Sequence, residues 1–224
     1  MKNRIVMFFF FLVATSGFAQ PRVAVGYNYL AAGNWDRAIQ TYNFARPELT
    51  NKQPLFIHGI ELGADYLWIN DKPMKHGMSV SYRYFRSAAA NDNFDVVLNA
   101  HLVNIGYVVH NSVAARRKGF SVDVGVYAIL GGIYRNVNGE PLRDDDTRIW
   151  APGIGGELRP RVGYTIAEKE KYSITPFVQA SYCPIYFSPR AEALLNQTMT
   201  LTGVKYTSIV NLEAGVCISF VRSE

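Results

Sequence analysis

The sequence has 224 residues, of which 49% are hydrophobic, 13% aromatic and only 18% charged. This composition excludes a disordered chain, and the many tyrosines and phenylalanines argue against a helical bundle. The formal net charge is +5, and loss of Lys2 and Arg4 with the N-terminal segment described next leaves about +3. So small a surplus, without a basic stripe, indicates no nucleic-acid partner.

The N-terminus has the three parts of a secretory signal peptide. Lys2 and Arg4 form the charged start, residues 5–13 the apolar run, and Gly17 and Ala19 the small residues of a cleavage site. We therefore expect residues 1–19 to be a signal peptide and residues 20–224 to be the mature domain. The alternative is an N-terminal membrane anchor. No later stretch approaches 18 apolar residues, so no transmembrane helix is expected.

Alternation of apolar and polar residues predicts eight strands in the mature chain. They span roughly 21–30, 54–69, 77–88, 93–109, 119–134, 154–168, 171–187 and 207–222. Most connections after odd-numbered strands are long, whereas those after even-numbered strands are shorter on average. This asymmetry is typical of an antiparallel up-and-down outer-membrane β-barrel with both termini in the periplasm. A hairpin hidden in a long connection would raise the strand number to ten.

One segment, in the first long connection, has helical rather than strand periodicity. Asn34 is placed to cap a short helix whose apolar residues are Trp35, Ala38, Ile39, Tyr42 and Phe44, and Pro47 limits its continuation. Two roles are open for its apolar stripe, which is defined by Trp35, Ile39, Tyr42 and Phe44. It can cap the barrel mouth, the role we favour, or it can dock a partner.

The polar residues between the outward apolar ones carry charges of both signs. The predicted lumenal charge network consists of Glu61, Asp65, Arg83, His101, Asp123, Glu157, Arg159, Arg161 and Glu213. An eight-stranded barrel is too narrow for an open pore, so its interior fills with side chains. Because an unpaired buried ion costs several kcal/mol, these charges are expected to pair, and Glu213 to pair with an arginine.

The apolar residues of each strand are expected to face lipid, with aromatic residues near the strand ends. In the fourth strand this assigns Val96, Leu98, Ala100 and Leu102 to the lipid face and His101 to the lumen. The alternative is an exported soluble β-sandwich whose core holds the tyrosines.

The two cysteines, Cys183 and Cys217, are expected to be free buried thiols. A symmetric hairpin of the last two strands places Cys217 opposite a residue near 176, far from Cys183.

Motifs of enzymes are absent from the sequence. It has no G-x-S-x-G, H-E-x-x-H, C-x-x-C or phosphate-binding loop, so we predict no catalytic residues, no metal site and no cofactor. Two alternatives stay open: His101 as a lumenal base oriented by Glu61 or Asp123, and a calcium site at Asp144, Asp145 and Asp146.

The signal peptide, the strand count, the loop asymmetry and a terminal strand ending near Phe220 resemble small outer-membrane β-barrel proteins, the class of the OmpA membrane domain. The resemblance covers the mature chain, although "VRSE" after Phe220 departs from the usual ending. A weaker similarity is to the longer PorP/SprF-type barrels of type IX secretion and gliding bacteria. No functional residue carries over by motif.

Together these features predict a non-enzymatic structural or accessory protein of the outer membrane. It would contact outer-membrane lipid and, through its extracellular loops, other surface, secretion or motility proteins of the cell envelope, in an oligomeric state that the sequence leaves open. The alternatives are a narrow channel for small solutes and a lipid-modifying barrel enzyme.

Overall fold

The computed structural model describes residues 19–45, 47, 49–68, 74–90, 94–112, 119–139, 148–168, 172–188 and 206–220. Its elements are β1 (Ala19–Ala31), α1 (Asn34–Ala45), β2 (His58–Trp68), β3 (Met74–Ala90), β4 (Phe94–Ser112), β5 (Gly119–Gly139), β6 (Arg148–Thr165), β7 (Ala167–Glu168), β8 (Tyr172–Phe187) and β9 (Tyr206–Phe220). Residues 1–18 of the predicted signal peptide and the aspartates at 144–146 lie outside the described residues.

The strands form one closed antiparallel barrel. Each strand pairs with its neighbour in sequence, β1 pairs with β9, and β6 pairs with β8 to close the ring. The two-residue strand β7 pairs with β8 and continues the line of β6. The barrel therefore has eight strands around its circumference. The predicted eight-stranded up-and-down fold is confirmed. Closure leaves no edge strand, because each of the eight strands around the barrel is hydrogen-bonded to a neighbour on both sides.

The barrel has two distinct ends. We call the end that carries α1, between Ala31 and His58, the helix end. The other, where β1 begins at Ala19 and β9 ends at Phe220, is the terminal end. The register of the last hairpin sets Cys217 opposite Thr175 and Cys183 opposite Ile209. Both thiols are buried and free, as the sequence predicted.

The outer surface of the barrel is apolar. Outward side chains such as Val126, Ile154 and Leu212 are 57–62% exposed to solvent in the isolated chain. Between residues 120 and 134 of β5, and throughout β8 and β9, no outward-facing residue is Asp, Glu, Lys or Arg. An exposed apolar wall of this extent is the surface that a bilayer covers.

Aromatic side chains lie near both rims of this wall. At the terminal end Trp68 contacts Tyr107 and Phe120 contacts Tyr164, with ring centroids 6.0 and 4.9 Å apart. Further exposed aromatic residues at the helix end are Tyr27, Tyr29, Trp150, Tyr182, Tyr186 and Tyr206. These are the positions of the aromatic girdles of a membrane barrel. Among the described residues, no helix is both long and apolar enough to cross a bilayer.

Candidate functional site

The candidate site is the lumen, and its helix end is filled by α1. Trp35, Ala38, Ile39 and Tyr42, which recur at helical spacing, are all buried. The Trp35 ring meets Phe187 edge-on, with centroids 5.6 Å apart. Around the stripe lie inward apolar side chains from the barrel wall: Leu30, Phe85, Leu98, Leu102, Ile129, Ile133, Ile185, Phe187 and Ile209. Of the two open roles, the stripe therefore adopts the capping one.

Phe44, which the sequence assigned to the same stripe, lies elsewhere. It is 89% exposed, because position 44 is on the far side of the helix from Trp35 and Ile39. It is therefore the one apolar residue of α1 that is available to the surroundings.

Polar groups fix the start of α1 to the barrel wall. Gly33 takes a left-handed conformation with φ of 51°, which turns the chain from β1 into the helix. The Asp36 carboxylate accepts the backbone N–H of Ala32 at 2.8 Å, and its partial burial raises the pKa of this carboxyl. The Asn34 side chain, which was predicted to cap the helix, donates from Nδ2 to the Tyr206 carbonyl at 2.7 Å.

Below the cap, four buried side chains form what we call the central cluster: Glu61, Arg83, Glu157 and Arg159. Arg83 bonds Glu61 through Nε at 2.8 Å and Glu157 through Nη2 at 3.0 Å. Arg159 bonds Glu61 through Nη1 at 2.5 Å and Glu157 through Nη2 at 2.8 Å. The guanidinium of Arg159 also lies 4.3 Å from the centroid of the Tyr127 ring. Each guanidinium thus bridges both carboxylates, an arrangement that compensates much of the desolvation cost.

Glu213 faces the lumen beside this cluster, but the prediction that it pairs with an arginine is wrong. Its Oε2 accepts a hydrogen bond from Gln179 Nε2 at 2.7 Å, and its carboxyl group lies beside that of Glu61. Both guanidiniums of the central cluster are already engaged by Glu61 and Glu157. A third carboxyl therefore finds a neutral amide and a neighbouring acid instead.

A second group, the terminal cluster, lies nearer the terminal end. It comprises Arg22, Asp65, His110, Asp123 and Arg161. Arg22 Nη2 lies 2.8 Å from Asp65 and 3.0 Å from Asp123, and Arg161 Nη1 lies 3.3 Å from Asp65. His110 Nδ1 is 2.5 Å from Asp123 Oδ1. The two arginines thus balance the two aspartates inside the barrel.

Sequence reasoning missed two members of the terminal cluster. Arg22 alternates with the outward Val23 and Val25, so the phase of β1 could have placed it in the lumen. His110 was missed because the predicted fourth strand ended at residue 109, three residues too early. The structure extends β4 to Ser112, and the even-numbered positions of this strand face inward.

His101 is not lumenal, and the predicted facing of the fourth strand is wrong. Val96, Leu98, Ala100 and Leu102 are buried and point inward, whereas His101 points outward. Its Nδ1 is hydrogen-bonded to the hydroxyl of Tyr82 at 2.6 Å, and its ring lies 5.2 Å from that of Tyr84. The cause is α1: because it makes the lumen apolar at this end, apolar residues turn inward there. A lumenal base at His101 is therefore excluded.

A pocket of about 210 Å³, which we call the vestibule, opens on the terminal-end side of the terminal cluster. Its lining includes Arg22, Lys75, His110, Asp123 and Arg161, together with several serine and threonine hydroxyls and the Cys217 thiol. The clusters and the cap above it fill the rest of the lumen. Among the described residues, no group of three or more His, Cys, Asp or Glu side chains could hold a metal ion.

A closed β-barrel with paired charges inside and a mainly apolar wall outside inverts the arrangement of a soluble protein. The fold and this surface define an outer-membrane β-barrel protein. No protein-family model matches the sequence, and no curated protein matches it significantly.

Solved structures to which this chain shows similarity include Ail, OprG and the β domain of BrkA. Ail, the attachment invasion locus protein of Yersinia pestis, solved with the heparin analogue sucrose octasulfate, is 12% identical with a TM-score of 0.44, over 91% of this chain and 99% of Ail. The outer membrane protein OprG of Pseudomonas aeruginosa is 9% identical with a TM-score of 0.39, over 91% of this chain and 96% of OprG. The β domain of the Bordetella autotransporter BrkA is 11% identical with a TM-score of 0.20, over 89% of this chain and 98% of that domain. The fold assignment rests on the strand pairing of the chain itself.

Proposed function

We propose that this chain is a closed outer-membrane barrel that serves as a structural or accessory component of the cell envelope. The observation that carries the proposal is the filling of the lumen by α1 and the central cluster. In this proposal the signal peptide at 1–19 exports the chain, and the helix end faces outward from the cell.

Two successive barriers argue against a solute channel. The first is the cap, where Trp35 and Ile39 are 1% and 0% exposed among the apolar residues of the barrel wall. The second is the central cluster, where Arg83 is fully buried and bridges Glu61 and Glu157. An ion crossing the lumen would have to displace both an apolar plug and a paired charge layer.

A lipid-modifying enzyme would need a nucleophile, a base and an acid together at the lipid-facing rim. His101 is the outward histidine nearest the helix-end rim of β4, and its described contacts are the Tyr82 hydroxyl and the Tyr84 ring. These phenolic neighbours anchor an aromatic girdle and do not supply a nucleophile with a carboxylate. A binding role through the helix end is favoured over catalysis.

Partners of this surface are expected among surface, secretion or motility proteins of the cell envelope. Phe44 supports a contact role, because an apolar side chain that is 89% exposed beside the barrel mouth gains by burial against a partner. Three of the four connections of the helix end are also the longer ones in sequence, and loops of this kind commonly carry recognition.

The closed lumen is tested by single-channel recording of the refolded barrel in planar bilayers. We expect the native chain to give no steps above the bare bilayer. Replacing Trp35 and Ile39 by alanine should also leave the barrel closed, because the central cluster remains. Stable conductance steps from the native chain would overturn the proposal in favour of a channel.

Partner contact is tested separately in living cells, with a photo-crosslinking amino acid in place of Phe44. Ser112, exposed at the terminal end, is the control position. We expect one reproducible envelope-protein adduct from position 44 and none from position 112. Equal labelling at both positions, or none at position 44, would contradict a specific contact there.

A further inference from the structure

The vestibule is a polar chamber with one open end. Its inner end is closed by Arg22, Asp123, Arg161 and the Phe177 ring. Arg161 stacks on that ring, with its guanidinium carbon 4.5 Å from the centroid. Within the part of the chain that the structure describes, the chamber therefore opens toward the terminal end, and the central cluster and the cap block passage through the lumen.

Among the described residues around the vestibule, the charges leave one cation in surplus. The charges of Arg22 and Arg161 are balanced by ion pairs with Asp65 and Asp123, the two carboxylates of the terminal cluster. Lys75 is additional: its described contact is the neutral amide oxygen of Gln20, 2.9 Å from Nζ. One surplus ammonium on the wall of a partly enclosed chamber attracts one negative charge.

Arg22 adds donors that the aspartates do not use. Its Nε is buried without a hydrogen-bond partner. Its Nη1 lies 3.0 Å from His110 Nδ1, the same nitrogen that lies 2.5 Å from Asp123 Oδ1. One imidazole nitrogen cannot both accept from the guanidinium and donate to the carboxylate. Arg22, although its charge is balanced by the aspartates, therefore keeps hydrogen-bond donors that no described acceptor satisfies.

The opposite wall supplies neutral hydroxyl groups. Ser173 and Ser219 stand opposite each other in the register of β8 and β9, and both line the chamber with Thr175. Lys75 stands opposite His110 on β3 and β4. An ammonium on one wall and hydroxyl donors on the other are the groups that hold an oxyanion.

We propose that the vestibule binds a small oxyanion, a carboxylate or phosphate group, between Lys75 and the hydroxyl wall. The volume of about 210 Å³ admits such a group with several waters. By sequence, the three connections at this end also carry six Lys or Arg residues against two acids, which favours the approach of anions. The inference is independent of the proposed structural role.

The test is titration of the refolded barrel, in a neutral detergent, with inorganic phosphate followed by phosphorus NMR line width. Acetate is the competing carboxylate, and glycerol 3-phosphate represents the headgroup of an anionic lipid. Preference for glycerol 3-phosphate over phosphate would identify a lipid source, whereas equal binding would identify a free anion. We expect saturable phosphate binding that acetate displaces.

Lys75→Gln is the decisive variant, because it removes the surplus charge and leaves the terminal cluster intact. Loss of one charged hydrogen bond should weaken phosphate binding about tenfold or more. Arg37→Gln, an exposed cation of α1 at the other end, should leave it unchanged. The proposal fails if phosphate binding is not saturable, or if both variants bind as the native chain does.

Discussion

The Glu213 carboxyl group occupies the space in the lumen that a side chain at position 26 would need, and position 26 is a glycine. A Cβ atom built on Gly26 would overlap the Glu213 carboxyl group, which lies directly over the glycine. The absence of a side chain at position 26 therefore makes room for the third carboxyl of the central region. We expect Gly26→Ala to destabilise the barrel by about 1–3 kcal/mol, the usual effect of overpacking.

This effect can be isolated with a matched glycine and a double mutant. Gly63 also faces the lumen, but a Cβ there would make ordinary contacts, the nearest with Ser81 at 3.4 Å. Urea titration of folding into lipid vesicles should show Gly63→Ala close to the native chain. Adding Glu213→Ala should relieve much of the Gly26→Ala defect. Strictly additive effects would mean that the two residues do not compete for space.

Arg83 holds two carboxylates of the central cluster, so its loss should be severe. Arg83→Met keeps much of the volume but leaves Glu61 and Glu157 with Arg159 alone, and we expect a cost of about 3–5 kcal/mol. Arg86 lies on the same strand but points outward and is exposed. Arg86→Met should change the free energy of unfolding by less than about 0.5 kcal/mol. Similar values for both variants would show that the cluster contributes little.

A charged residue in place of Val126 tests directly whether the outer wall of the barrel lies in a membrane. Val126 is 62% exposed on the outer wall, and an arginine there should cost about 2–4 kcal/mol if the position lies near the bilayer midplane. The measurement is folding into vesicles, read by the gel-mobility difference between unboiled and boiled samples. Phe44→Arg, at a position that is also exposed but lies outside the wall, should be neutral. A neutral Val126→Arg, with a water-soluble monomer, would favour the soluble-sandwich alternative.

Trp35 is the largest side chain of the cap. Trp35→Ala should weaken packing of α1 in the mouth by about 3–5 kcal/mol, while the strands below stay paired. We expect limited proteolysis to cut the 32–57 connection much faster in this variant, with the gel-mobility shift retained. Phe44→Ala, on the exposed side of the same helix, should be cleaved at the native rate. Rapid cleavage of the native chain would contradict a seated cap.

Much of the fold was readable from the sequence because strand alternation has a fixed period. In β9 every outward residue from Val210 to Phe220 is apolar, and Asn211 and Glu213 point inward, which is the pattern that a membrane barrel imposes. The same logic located the inward charges of β2, β5 and β6. It also placed the cysteines, since the hairpin register depends only on where the loop lies.

The rule failed in the part of the lumen that α1 fills. Alternation gives two faces but not which one is inside, and the assignment assumed a polar lumen throughout. At Leu98 and Leu102 the interior is apolar, so His101 turns outward. The partner of Glu213 could not be predicted either. The pairing of arginines with acids depends on distances across the barrel. The order of residues along the chain does not determine these distances.

The cap also joins the first strand to the last. Thr207 of β9 donates its hydroxyl hydrogen bond to the Ala32 carbonyl, and Asn34 reaches the Tyr206 carbonyl beside it. These two bonds span the seam between β1 and β9, the pair most distant along the chain. The helix is made early in synthesis, yet it cannot be anchored until the final strand arrives. Seating of α1 therefore marks the completion of assembly, and an incompletely inserted barrel would display its tryptophan-bearing helix unanchored.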